Sequence, residues 1–181
     1  EHQVAARTAE LDAANLRLTE LSHTDALTGI ANRRRLVQVL QTLWPRALEQ
    51  NIALLLDYPR EVPRSYLGDV ARLRQILLNL LGNAAKFTRE GRIEISARIA
   101  GGALICEVKD TGIGICPDDQ QFIFDEFYQV DDSAAQHSRG AGLGLTLVRD
   151  LVTLLEGEVS IASEVGVGTN VSFRIPVQLS A

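Results

Sequence analysis

Cysteine is scarce in this sequence, and long apolar runs are absent from it. The two cysteines, Cys106 in an alternating strand pattern and Cys116 in a glycine loop, have neither a CxxC spacing nor a histidine partner. This pattern excludes a disulfide framework or a zinc site and predicts reduced thiols. The longest uninterrupted apolar run, residues 52–56, is far shorter than the about 20 residues that cross a bilayer, and no segment is typical of a signal peptide. We therefore expect a cytoplasmic location and no membrane contact.

Positive charge is also in short supply. Lys and Arg number 18 against 23 Asp and Glu, a formal net charge of −5, and no basic cluster follows the pattern of a phosphate-binding surface. The sequence therefore gives no reason to expect nucleic acid as a partner. Its 181 residues, 46% hydrophobic and 23% charged, have the composition of a soluble globular protein with one core and an appendage.

The first quarter of the chain has a helical pattern, and we predict helix from residue 1 to about residue 44. Apolar residues repeat there as in a short coiled coil, at Val4, Leu11, Ala14, Leu18 and Leu21. This repeat predicts a homodimer through residues 1–44, and the alternative is a single amphipathic helix that packs on its own domain. Pro45 should break or kink the helix after Trp44, because proline removes a hydrogen bond from a helix interior.

Beyond residue 50 the pattern is mixed. The apolar run at 52–56 predicts a buried strand, and Asp69 is a suitable N-cap for a helix that ends at about Phe87. A further helix is predicted from about Gly142 to Leu155. Period-two alternation predicts four more strands, at residues 93–99, 104–108, 159–161 and 171–177. Because hairpins beside helices bury one face of a sheet, we predict an α+β fold, a two-layer α/β sandwich.

A polar stripe is predicted on the helix that precedes residue 88. Asn79, Asn83 and Lys86 are spaced by four and three residues, so they share one helix face while leucines occupy another. A carboxamide offers a neutral oxygen to a hard cation such as Mg²⁺, and lysine offers a positive charge to phosphates. The alternative is an ordinary solvated helix face.

Two glycine-rich loops follow. Asp110 ends a predicted strand and precedes Gly112 and Gly114, so its carboxylate could accept from the exocyclic amino group of adenine, although Asp before Gly is also common in ordinary turns. Gly140, Gly142 and Gly144 precede an apolar helix, whose amide groups could bind phosphate. No strand comes directly before these glycines, which argues against a Rossmann fold. The small polar residues 133–139 between the loops are typical of a mobile lid.

Five motifs in this order closely resemble the ATP-binding catalytic domain of bacterial sensor histidine kinases, within the GHKL ATPase superfamily. Residues 79–86 resemble the N box, 110–114 the G1 box, 124–127 the F box and 140–144 the G2 box. Residues 166–169 resemble the final glycine-threonine element. The resemblance extends from about residue 52 to residue 177.

The resemblance implies a Bergerat-type sandwich that binds Mg-ATP. It implies that Asp110 contacts adenine, Asn83 the metal, and Lys86 and the lid glycines the phosphates, with Thr169 near the base. We accordingly divide the chain into a signalling or dimerisation segment, residues 1–47, and an ATP-binding catalytic domain, residues 48–181. ATP-hydrolysing relatives have Glu in place of Asn79, and a carboxamide cannot act as a general base. Phosphoryl transfer to a histidine is therefore favoured over hydrolysis.

The phosphoacceptor is the part of the pattern that this sequence does not match. His23 is the candidate, but the next residue, Thr24, is not acidic, and no Pro-Leu follows. Residues 24–34 resemble instead the start of diguanylate cyclase (GGDEF) domains, although no cyclase active-site loop follows. The about 28 residues between His23 and Ile52 would span roughly 42 Å as one helix, which is short for a helical hairpin of normal depth. His2 and His137 have no supporting context.

Three functions follow from these observations. The first is the catalytic domain of a two-component sensor histidine kinase, with a response regulator receiver domain as its partner. The alternative is a nucleotide-binding signalling module that has no phosphoacceptor of its own. The third, a cyclase fragment, predicts a preference for GTP, whereas Asp110 should prefer adenine.

Overall fold

The structure is a computed structural model that describes residues 30–31, 33–59, 66–67, 69–130 and 143–179. Its helices and strands follow one another in this order: β1 Ile30–Ala31, α1 Arg33–Glu49, β2 Ile52–Asp57, β3 Tyr66–Leu67, α2 Val70–Phe87, β4 Gly91–Ala100, β5 Ala103–Asp110, α3 Pro117–Gln120, α4 Gly144–Leu154, β6 Glu158–Glu164, β7 Gly168–Pro176 and β8 Gln178–Leu179.

The main sheet has five strands in the order β2-β4-β5-β7-β6. Strands β2 and β4 pair in parallel, with Ile52 opposite Gly91, and the other three pairings are antiparallel. The short strands β1, β3 and β8 form a separate antiparallel sheet. Helices lie beside a mixed sheet, so the predicted α+β sandwich is confirmed.

Helices α1, α2 and α4 supply one layer, and the inward faces of the strands supply the other. Every second residue of β4 and β5 points into this interface, where Ile93, Ile95, Leu104 and Cys106 are almost fully buried. The core is completed by apolar side chains of the helices, among them Val39, Leu40, Ile76, Leu77, Leu80, Leu81, Val148 and Val152. The opposite face of the sheet is polar, so the two-layer arrangement follows from the period-two pattern.

Helix α2 carries the predicted polar stripe and is built as the sequence indicates. Asp69 is its N-cap, and the Asp69 carboxylate accepts from the Arg72 N–H at 3.0 Å. At the other end, the Thr88 N–H donates to the Ala84 carbonyl. Leucines and Ile76 on one side of the helix are buried against the sheet. The N-cap predicted at Asp69 is confirmed, and the helix holds its opposite face away from the core.

Helix α1 differs from the sequence prediction at two points. Residues 30–31 form a strand, so the helix predicted from residue 1 to 44 is wrong there. The helix also does not end at Pro45 but continues to Glu49. Ala47 is buried in the core just after the proline, and this packing keeps the last turn helical. Because Pro45 and Gln41 are exposed, the carbonyl left without a proline N–H partner faces water.

The described part of the first segment packs against the rest of the chain. Leu36, Val39, Leu40 and Ala47 of α1 belong to the same hydrophobic core as α2 and β2. The predicted coiled coil and its homodimer lie outside the described residues. The boundary near residue 47 stays a prediction.

None of the described helices is long and apolar enough to cross a membrane.

Candidate functional site

The predicted site residues come from four elements that meet along α2. Asn79, Asn83 and Lys86 lie on α2 itself, Asp110 is the last residue of β5, and Thr169 is the second residue of β7. Antiparallel pairing places Asp110 directly opposite Thr169. The loop after β5 and Gly144, the first residue of α4, then lie against α2. The fold thus brings together residues that are separated by up to about 90 positions in the sequence.

Asp110 is the most buried charged residue of the site. Its side chain is 8% exposed, and its Oδ1 accepts from the Gly112 N–H at 2.8 Å. Burial raises the pKa of the Asp110 carboxyl, while hydrogen bonds from the Gly112 and Thr169 backbone N–H groups act in the opposite direction. A half-satisfied, buried carboxylate is an acceptor-only group, which suits a ligand that brings its own N–H donor.

Gly112 allows the loop after β5 to pack directly on the end of α2. A Cβ at this position would lie 2.6 Å from the Phe87 carbonyl oxygen and 2.8 Å from Asp110 Oδ1. The next residue, Ile113, donates its N–H to the same Phe87 carbonyl at 3.3 Å. Any side chain at Gly112 would therefore separate the loop from the helix.

Gly114 and Gly168 fix the same loop against the β6–β7 hairpin. Gly114 has φ +71°, and a Cβ there would overlap the Glu164 carbonyl. Gly168 has φ +135°, and a Cβ there would overlap the Asp110 carbonyl. Gly166 donates its N–H to the Ile113 carbonyl at 2.8 Å. The loop is consequently held on both sides by backbone contacts.

Two residues of this region, Ser163 and Gln120, were not identified from the sequence. The Ile115 N–H donates to Ser163 Oγ at 2.8 Å, and Ser163 Oγ lies 2.9 Å from Thr169 Oγ1. Gln120 Nε2 donates to the carbonyls of Ile115 and Ser163, both at 2.9 Å. Their only sequence signal is proximity to the glycine motifs, because Ser and Gln occur at many solvent-exposed positions.

The start of α4 lies against the polar stripe of α2. A Cβ at Gly144 would lie 3.6 Å from Asn79 Oδ1 and 3.7 Å from Asn83 Nδ2. Asn79 Nδ2 donates to the Gln75 carbonyl at 2.9 Å, so its oxygen is the free end of that carboxamide. The free amide groups at a helix start attract anions. The structure therefore places the start of a helix beside the two carboxamide groups of Asn79 and Asn83.

Lys86 extends the same face toward the end of α2. Its ammonium lies 4.8 Å from the centre of the Phe87 ring. Burial lowers the pKa of Lys86, and the positive charge of Arg46 on α1 lowers it further. Within the described ranges Lys86 has no carboxylate partner. Its charge is thus available to an anion.

The remaining predicted residues lie outside the part of the chain that the structure describes. They are Gly140 and Gly142, the lid residues 133–139, and the histidines His2, His23 and His137. Among described residues, no group of three or more His, Cys, Asp or Glu side chains could hold a metal ion. A cation at this site would therefore need carboxamide oxygens and oxygens of the ligand itself.

Comparison with known proteins identifies the family. Residues 68–179 match the model described as histidine kinase-, DNA gyrase B- and HSP90-like ATPase. The sensor histidine kinase RcsC of Salmonella typhimurium is 37% identical over 133 residues, covering 74% of this chain and 14% of RcsC. The circadian input-output histidine kinase CikA of Synechococcus elongatus is 40% identical over 147 residues, covering 80% of this chain and 20% of CikA.

Solved structures show the same fold. The structure of full-length ShkA in complex with AMPPNP superposes with a TM-score of 0.74 at 33% identity, covering 100% of this chain and 40% of ShkA. The catalytic domain of the histidine kinase ThkA, at 23% identity, superposes with a TM-score of 0.68 over 79% of this chain and 92% of that domain.

This chain spans a small part of its curated relatives, 14% of RcsC and 20% of CikA. The match over residues 68–179 nevertheless contains α2, the glycine loop after β5 and the start of α4. The chain belongs to the histidine kinase-, DNA gyrase B- and HSP90-like ATPase family and is homologous to the catalytic domains of sensor histidine kinases.

Proposed function

We propose that this chain binds Mg-ATP and transfers the γ-phosphoryl group to a histidine of a two-component signalling protein. One observation carries the proposal: the glycine loop after β5 and the first residue of α4 contact the same helix, α2. Gly112 lies against the Phe87 carbonyl at the end of α2, and Gly144 lies against Asn79 and Asn83. At 1.5 Å per residue, Asn83 and Asn79 are about 6 and 12 Å from Phe87 along the helix. This arrangement suits an extended nucleotide with its base at Asp110.

The base end of the proposed site is formed by Asp110 and Thr169. The Asp110 carboxylate would accept from the 6-amino group of adenine, and Gly112 and Gly114 allow the backbone to lie close to the ring. Thr169, opposite Asp110 in the sheet, would contact the same edge of the base. A buried acceptor favours a ligand that supplies the donor, because an unmatched buried polar group costs about 1–3 kcal/mol.

The phosphate end would include Lys86 and the start of α4 at Gly144. Gly140 and Gly142, which lie outside the described residues, are assigned to the same end from the sequence motif alone. The residues of α2 fit the Mg²⁺ that accompanies ATP, since a neutral carboxamide oxygen is a ligand for this cation. We assign that role to Asn83, with phosphate oxygens and water as the other ligands. When bound, the cation would neutralise phosphate charge. Lys86 would hold the phosphates as a point charge.

Asn79 favours transfer over hydrolysis. Its Nδ2 donates to the Gln75 carbonyl, so its Oδ1 faces the start of α4. A carboxamide oxygen cannot take a proton from water at neutral pH, and the described part of the site offers no other carboxylate besides Asp110. The phosphoryl group would therefore pass to a protein nucleophile that is positioned by docking.

The acceptor and the partners complete the proposal. His23 is the candidate phosphoacceptor in this chain, and a histidine of another chain is the alternative. A response regulator receiver domain would take the phosphoryl group onward in the cytoplasm. Residues 1–44 would form a homodimer, with a segment at residues 24–34 that resembles the start of a GGDEF domain.

Incubation with γ-labelled ATP tests this function. We expect the chain to bind ATP and to acquire an acid-labile, base-stable label that is lost in His23→Ala. Label that appears only when a second protein with a phosphoacceptor histidine is added would assign the acceptor to that protein. ATP bound with no label under either condition would support the alternative, a nucleotide-binding signalling module. Asp110→Asn serves as the control, since both outcomes need an intact base site.

A further inference from the structure

We infer that Arg46, in the last turn of α1, is a second positive charge at the phosphate end of the site and strengthens the binding of the phosphate chain of ATP. This inference rests on the proposed function. It concerns a residue that precedes the family match at residues 68–179 and belongs to none of the five sequence motifs.

The parallel pairing of β2 and β4 brings the ends of α1 and α2 to one edge of the sheet. Helix α1 ends at Glu49, shortly before β2, and α2 ends at Phe87, shortly before β4. Because Ile52 lies opposite Gly91, both strands begin at the same edge. The last turns of the two helices therefore lie at this edge as well.

The same edge carries the loop after β5. In the antiparallel pairing of β4 and β5, Asp110 lies opposite Ile93, near the start of β4. Gly112, two residues later, lies against the Phe87 carbonyl at the end of α2. The last turn of α1 is consequently on the side of the molecule where the candidate site is built.

Core packing holds the last turn of α1 against α2. Ala47 is buried and belongs to the same hydrophobic core as Leu81, Ala84 and Ala85 of α2. Its neighbour Arg46 is exposed to solvent. Successive side chains of a helix point about 100° apart, so the burial of Ala47 leaves Arg46 at the rim of the contact between the two helices.

The positive charge of Arg46 acts on Lys86 of α2. Burial is the larger cause of the lowered pKa of Lys86, and Arg46 is the charged group that lowers it further. One cation exerts this effect on another only at short range. Arg46 Nε donates to Gln50 Oε1 at 3.3 Å, which holds the guanidinium at the end of α1.

No carboxylate among the described residues neutralises this pair of cations. Glu49 lies in the same turn of α1 and Glu90 in the turn after α2, but neither forms an ion pair with Arg46 or Lys86. Two positive charges held close together attract an anion. Arginine brings a planar fork of donors and lysine a point charge, and both suit the oxygens of a phosphate chain.

The test compares the affinities of the full chain for ATP and adenosine by calorimetry. In Arg46→Gln we expect the affinity for ATP to fall roughly threefold, the size of one exposed charge contact, and the affinity for adenosine to stay the same. Arg46→Lys keeps the charge and should bind ATP more tightly than Arg46→Gln. Arg74→Gln is the matched control, because it removes the same charge from an exposed position of α2, and it should leave both affinities unchanged.

Two further measurements separate a local charge contact from a structural effect. Added salt should weaken ATP binding less in Arg46→Gln than in the wild type, because one contact that salt screens is missing. Without nucleotide, an NMR titration should give Lys86 a higher pKa in Arg46→Gln than in the wild type, because a neighbouring positive charge is gone.

The outcomes distinguish this inference from the proposed function. Wild-type chain that binds ATP no more tightly than Arg46→Gln would overturn the inference alone. A parallel loss of adenosine affinity in Arg46→Gln, or an unchanged pKa of Lys86, would also overturn it. Wild-type chain that binds no ATP would overturn the proposed function, whatever the titration of Lys86 shows.

Discussion

The base end and the phosphate end of the candidate site are built in opposite ways. At the base end, Asp110, Ser163 and Thr169 bond to one another or to loop backbone, and the bonds join β5, β6 and β7. At the phosphate end, Asn83 and Lys86 have neither a hydrogen bond nor an ion pair within the described ranges. The first end is organised by the protein itself.

The difference indicates how each end would select its ligand. Side chains that bond to one another and to backbone hold the Asp110 carboxylate in one position, which would favour one orientation of a base. Side chains on an open helix face present charge and oxygen atoms that a flexible polyphosphate can approach in several ways, which gives affinity. We therefore expect changes at the base end to alter both stability and specificity, and changes at the phosphate end to alter mainly the affinity for phosphates.

The largest effect is expected from a substitution that disrupts a close backbone contact at the base end. Gly168→Ala places a Cβ against the Asp110 carbonyl at a φ of +135°, and we expect the free energy of unfolding to fall by about 4 kcal/mol. Gly166→Ala is the matched control in the same turn, since a Cβ there meets nothing within 4 Å at φ +79°. Gly166→Ala should lower the free energy of unfolding by about 1 kcal/mol. Urea denaturation measures both, and equal losses would contradict the close contact at Gly168.

The next effect tests the acceptor at the base end. Asp110→Asn should weaken ATP binding roughly 100-fold, because it replaces a charged acceptor by a group that can also donate, and a charged hydrogen bond contributes about 1.5–3 kcal/mol. Isothermal titration calorimetry gives the affinity. Asp57→Asn, at the exposed end of β2, is the control and should bind ATP like the wild type. Unchanged ATP affinity in Asp110→Asn would contradict the proposal that the base binds at this end of the site.

A smaller effect should separate the two ends. Lys86→Gln and Asn83→Ala should each weaken ATP binding about tenfold while the affinity for adenosine stays the same, since adenosine has no phosphates. Arg74→Gln, an exposed charge change on the same helix, is the control for the net charge of α2. A parallel loss of adenosine affinity would mean that the two ends are not independent.

The smallest effect concerns stability and pH. Burial raises the pKa of Asp110 above the usual value of 3.8, so the folded state binds this proton more readily than the unfolded state. The contribution of Asp110 to stability therefore decreases as pH rises through the interval between the two pKa values. At pH 7 the ionised carboxylate should therefore cost stability. Urea denaturation at several pH values should show a smaller gain in stability on acidification for Asp110→Asn than for the wild type; an equal gain in both proteins would contradict the direction of the pKa shift.

The sequence predicted most of the helices and strands and the elements that carry the site. Alternating apolar residues located β4, β5 and β7, and Asp69 located the start of α2, because burial on one face and capping leave local patterns. The predicted break at Pro45 was wrong. The hydrogen bond that proline removes can be expected from the sequence, but the burial of Ala47, which offsets that loss, depends on tertiary packing. Ser163 was missed because its partner Ile115 lies 48 positions away and neither residue belongs to a spacing pattern.

The sequence by itself determined the family, the order of the motifs and the acceptor chemistry of Asp110, Asn79 and Asn83, because these depend on residue type and short spacing. Only the tertiary structure decided that Gly144 lies against Asn79 and Asn83 and that the hydroxyls of Ser163 and Thr169 share a hydrogen bond. Such contacts join strands and helices far apart in the chain. They depend on strand register and loop packing, which residue patterns along one segment do not specify.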